Sequence, residues 1–169
     1  MKITAKDIVD IKIGNNESDN ELEKKRITDL IDSLSGLSET AKGRLVQELL
    51  ELIGDQHEQL IRRVQAATVL AYNTTILGTV GSDSKANYLC NVLKREFLSE
   101  DDRIFYRKGA KLRKLGEIQI MFLERLAYAA LGMDWVIGSE TVIKIADSMK
   151  GTEVADYLQK LLQKAQKAV

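Results

Sequence analysis

Apolar positions recur at three- and four-residue spacing along most of the chain, the period of a helix with one buried face. Leu22, Ile27, Leu30, Ile31 and Leu34 form the first such set, and Gly36 ends it. A second runs through Ala41, Leu45, Leu49 and Ile53, with Ser38 placed as its N-cap and Gly54 as its stop. Asp55 and Glu58 have the spacing of a capping box, which predicts a longer helix through Leu60, Ile61, Val64 and Ala67 to about Gly78. Ser82 or Asp83 restarts the chain, and Leu89, Cys90, Leu93 and Phe97 mark the next apolar face.

Ser99 and Asp102 then open what reads as the longest helix, through Leu112, Leu115, Phe122 and Leu126 to Leu131, stopped by Gly132. Gly109 and Gly116 weaken its first half by up to about 1 kcal/mol each relative to Ala, and offer a break. Ser139 and Thr152 read as caps of the last two helices. These are expected to bury Val142, Ile143, Ala146 and Met149, and then Val154, Leu158, Leu161, Leu162 and Ala165.

The pattern predicts an all-α fold, a compact multi-helix bundle of about seven helices joined by short Gly, Ser and Asp turns. Residues 21–169 read as a single helical domain and residues 1–20 as an N-terminal arm. In that arm Val9, Ile11 and Ile13 alternate as a strand would, whereas Thr4 with Asp7 suits a short helix; a lone strand would need a partner edge. The arm therefore reads as strand-like, and as mobile, swapped or packed as one short helix. Gly14 and the polar run from Asn15 to Asn20 separate it from the body.

Composition supports the helical reading. Proline, the strongest helix breaker, is absent from the 169 residues, and aromatics make up only 5%. Lys and Arg number 25 against 25 Asp and Glu, so no net charge points to nucleic acid or to a membrane surface. One cysteine, Cys90, excludes an internal disulfide and gives no support to an oxidising compartment. The most apolar stretch, Val64 to Val80, is interrupted by Gln65, Asn73, Thr74 and Thr75, and falls short of the roughly 20 apolar residues of a membrane span. It reads as a core helix, and a cytoplasmic location is the expectation.

Candidate chemistry is thin. His57 is the only histidine and Cys90 the only cysteine, so no tetrahedral zinc site of the usual type assembles, and no metal or cofactor is expected. His57 sits beside Glu58 in what reads as a solvated first turn. Cys90 lies between Leu89 and Val92 on an apolar face, where a thiol is a small hydrophobe rather than a nucleophile. The run Gly78 to Lys85 resembles a phosphate loop only faintly: its spacing differs from G-x-x-x-x-G-K-[ST], and a helix precedes it. The pairs Glu48/Glu51 and Glu153/Asp156 each share a helix face, as magnesium-binding E-x-x-E and E-x-x-D pairs do. About a hundred residues separate them, and such pairs also occur on any hydrated helix surface.

One charge feature has geometry. If residues 103–114 are helical, Arg103, Arg107, Lys111 and Lys114 fall within about 80° of arc. Lys108 and Arg113 flank them, and Tyr106 is near enough to stack. Acids concentrate between Glu17 and Glu58. These six cations are the candidate site for an anionic partner. The expectation is a non-enzymatic helical interaction protein, an adaptor, regulator or inhibitor working through protein contacts, self-association included. The alternative is a nucleic-acid-binding regulator using the basic stripe, and a helical enzyme of unfamiliar type stands third.

Overall fold

Ser38, Ser82 and Thr152 sit where the chain enters a helix, whereas Asp55, Glu58 and Ser139 do not. The computed structural model of the chain describes residues 5, 29, 32–98 and 116–167. Among these the fold is all-α: helical residues at 32–35 precede six longer helices, and no strand occurs. The helices are α1 (Glu39–Gly54), α2 (Leu60–Tyr72), α3 (Asp83–Phe97), α4 (Glu117–Met133), α5 (Trp135–Ser148) and α6 (Glu153–Lys167). Contacts divide the chain after Thr79 into two compact units.

In the first unit Ser38 caps α1 by accepting a hydrogen bond from the Ala41 amide at 3.2 Å. Leu45, Val46, Leu49, Leu50 and Ile53 form the buried face of α1, which packs against α2. Arg63 is 5% exposed, and its Nε donates to the Ile53 carbonyl at 2.9 Å. That bond satisfies an acceptor in the last turn of α1, where intrahelical donors run out. Ala5 is also helical and buried, and its amide donates to Glu48 at 3.1 Å. Val9, Ile11 and Ile13, on which the strand-like reading of the arm rests, lie outside the described residues.

The second helix of this unit differs from expectation at both ends. Asp55 accepts from the His57 amide and Glu58 from the Gln59 amide, so the two acids cap a turn and α2 starts only at Leu60. It ends at Tyr72 rather than near Gly78. Asn73 turns its side-chain amide back onto the Val69 carbonyl at 2.8 Å, and the Thr79 amide and hydroxyl both close onto the Thr74 carbonyl. Asn and Thr side chains compete with the helix ladder for such bonds, which is why the apolar run does not stay helical.

In the second unit α3 packs on α4 and α5, α4 on α5, and α6 on both. Ser82 caps α3, and Gly116 is the N-cap of α4, with Gln119 accepting from the Gly116 amide at 2.8 Å. Gly116, one of the two glycines that offered a break, thus marks the start of α4; Ser99, Asp102 and Gly109, on which the rest of the expected long helix depends, lie outside the described residues. Helix α4 continues through Gly132 to Met133, and Asp134 alone separates it from α5. Asp134 caps α5 by accepting from the Ile137 amide at 3.0 Å, so Ser139 lies inside the helix instead of capping it. Starting the helix there leaves Ile143 45% exposed rather than buried. Thr152 does cap α6, and Leu158, Leu161, Leu162 and Ala165 are buried there, while Val154 is half-buried. No helix among the described residues is long and apolar enough to cross a membrane.

The tightest joint is at Gly138. A Cβ there would lie 2.8 Å from the Leu131 amide nitrogen and 2.9 Å from the Ala130 carbonyl. Backbone atoms cannot rotate away, so Gly138→Ala should destabilise the fold by about 1–3 kcal/mol, as overpacked sites do. Gly43, inside α1, has open space around it, and Gly43→Ala should stabilise by roughly 0.5–1 kcal/mol through helix propensity. Urea melts of the two variants should therefore move in opposite directions.

Candidate functional site

The residues singled out by sequence go to separate places. Glu48 and Glu51, with Leu52, Asp55, Arg62 and Ala5, line an open cleft of about 420 Å³ in the first unit. Its acids already hold partners within the chain: Glu48 accepts from Ala5, Glu51 from Gln47 at 3.3 Å, and Asp55 from the His57 amide. Arg62 pairs with Glu58 at 3.0 Å. Glu153 and Asp156 belong to α6 in the second unit. No group of three or more potential ligands among the described residues is placed to hold a metal ion.

His57 is exposed in the turn before α2, one residue from Glu58, and contributes only its amide to the Asp55 cap. The run from Gly78 to Lys85 is a connection between helices. Gly78 and Gly81 take positive φ of 69° and 84°, the left-handed region open to glycine, and the Gly81 amide donates to the Met133 carbonyl at 2.7 Å. Ser82 and Asp83 then occupy the start of α3, so a side-chain oxygen and a carboxylate stand where a phosphate would need bare amides. The six cations of the candidate stripe, Arg103, Arg107, Lys108, Lys111, Arg113 and Lys114, lie outside the described residues.

Cys90 is buried against α5, with its sulfur 3.7 Å from the Ile137 carbonyl. Burial pushes the thiol above its ordinary pKa, outweighing the Thr141 hydrogen bond and the Lys94 charge that pull it down. At neutral pH the group is a thiol, which is a poor nucleophile.

Two surfaces that residue-by-residue reading overlooked become visible once the helices have partners. On α5, Val136 is 71% exposed and Ile143 45%, and a spacing of seven residues puts them on one side. On α3, Ser84, Asn87, Tyr88, Asn91, Lys94 and Arg95 are all exposed, opposite the face carrying Leu89, Cys90 and Leu93. The signal for the α3 face was the same helical period that located its apolar side; for α5 it was hidden by placing the cap at Ser139.

Because the folded thiol resists ionisation, Cys90 contributes stability that is intact below about pH 9 and lost as pH rises above it, where the unfolded chain releases the proton first. Wild type should therefore lose stability between neutral and strongly alkaline pH faster than Cys90→Ala, although the variant starts lower through lost packing. Native protein should react with a thiol reagent slowly, and denatured protein fast.

No protein-family model matches this chain, and no curated protein or solved structure is significantly similar to it.

Proposed function

We propose that the chain is a non-enzymatic helical interaction protein that engages another protein through the outward side of α5. The observation that carries this reading is the pair Val136 and Ile143, exposed together on a helix whose other side is fully occupied by Gly138, Thr141, Val142, Ile145 and Ala146. Scattered apolar residues are ordinary on a surface, but two on one stripe of one helix form a small docking strip. Val136 and Ile143 are already partly buried, so covering what remains of each would yield about 1–2 kcal/mol, which suits the pair to the centre of a small interface. Glu140 and Lys144, paired with each other at 3.4 Å and well exposed, supply the polar rim beside them.

Val136→Asp with Ile143→Asp tests it. The fold should tolerate the exposed changes within about 0.5 kcal/mol each. Capture from the native cell by wild type should retain a discrete protein after nuclease treatment and at moderate salt, and the double variant should lose it. Equal capture by both would remove α5 from the interface, and no protein captured by wild type would contradict the proposal itself.

A further inference from the structure

Helix α3 has an outward face unlike that of α5, and its chemistry fits a different ligand. Ser84, Asn87, Tyr88, Asn91, Lys94 and Arg95 lie within about 120° of arc at 100° per residue. From Ser84 to Arg95 the stripe runs about 17 Å, near five nucleotide steps at 3.4 Å each. No carboxylate interrupts it between Asp83 at one end and Glu96 at the other. Helices α1 and α5 differ, since their exposed residues include Glu39 and Glu51 in one, Glu140 and Asp147 in the other. Every side chain on the α3 stripe can donate a hydrogen bond, and its two charges are cationic. Tyr88, 38% exposed, adds an aromatic ring among them.

We infer that this face binds a nucleic-acid strand with unpaired bases. Lys94 and Arg95 would meet phosphates, Tyr88 would stack on a base, and Ser84, Asn87 and Asn91 would hydrogen-bond sugar, phosphate or base edges. Arg95 already lies 3.3 Å from Glu96. That pair is solvent-facing, and such contacts are held weakly enough for a phosphate to compete. The α3 surface neither requires nor excludes a protein on α5, because the two faces share no residue.

The test uses the full chain and a fluorescein-labelled, mixed-sequence 20-nucleotide single strand, followed by anisotropy. Wild type should bind, and Lys94→Glu with Arg95→Glu should weaken binding at least tenfold. Tyr88→Ala, which changes no charge, should weaken it roughly fivefold or more through lost stacking. Lys160→Glu with Lys164→Glu on α6 makes the same charge change elsewhere and should have little effect. A duplex of the same sequence should bind less well, since its bases are not free to stack. With two phosphates neutralised, affinity for that duplex should fall about tenfold between 50 and 200 mM salt. Absence of binding by wild type would overturn the inference. So would binding unchanged in both α3 variants while their melts match wild type, or an equal loss in the α6 control. Binding of an acidic protein in place of the strand, abolished by the same α3 variants, would reassign the face.

Discussion

The one-residue joint at Asp134 brings α5 so close to the last turn of α4 that residue 138 has no room for a Cβ. Much of the second unit depends on that approach. Asp134 accepts from the Ile137 amide, which starts α5 at Trp135 and sets the rotation of every later residue on the helix. Gly138, Thr141, Val142, Ile145 and Ala146 then turn inward, where α3, α4 and α6 meet α5. Val136 and Ile143 are left outside by the same geometry. The apolar strip is thus a consequence of where the helix begins, and its exposure is not a packing accident at the chain's edge.

Helix α3 owes its outward face to the other half of this arrangement. Its apolar side, from Ala86 to Phe97, is held by α4 and α5, with the Phe97 and Phe122 rings tilted at 52° and their centroids 6.3 Å apart. A helix anchored so completely on one side presents the rest of its circumference as a rigid surface. Side chains on such a surface give up less freedom on binding than those on a loop, which favours even a modest set of contacts. In the first unit the comparable lock is Arg63, whose guanidinium reaches back to the end of α1 and holds α2 against it.

Helix class and three of the six described long-helix starts were legible because capping is local chemistry: Ser38, Ser82 and Thr152 act within three residues of themselves. The buried side of α3 followed from periodicity alone. Where several polar residues offered a cap, the sequence did not rank them. Ser139 has the chemistry of a cap, but the helix is capped at Asp134, five residues earlier, where α5 lies close against α4, a tertiary fact. Asp55 and Glu58 likewise satisfy amides of a turn instead of a helix. Concentrated charge, as between Arg103 and Lys114, stands out in a sequence, whereas the Asn, Tyr and Lys pattern of α3 gains meaning only once its opposite side has partners.

The proposed interface is the outward side of α5, where Val136 and Ile143 are exposed. Placing a photoreactive residue at position 143, and in a parallel chain at Gln159 on the exposed side of α6, tests it most directly by crosslinking in the living cell. A discrete heavier species should arise from position 143, persist after nuclease treatment and be absent from position 159. The same ladder from both positions, or none from position 143, would contradict the proposed interface.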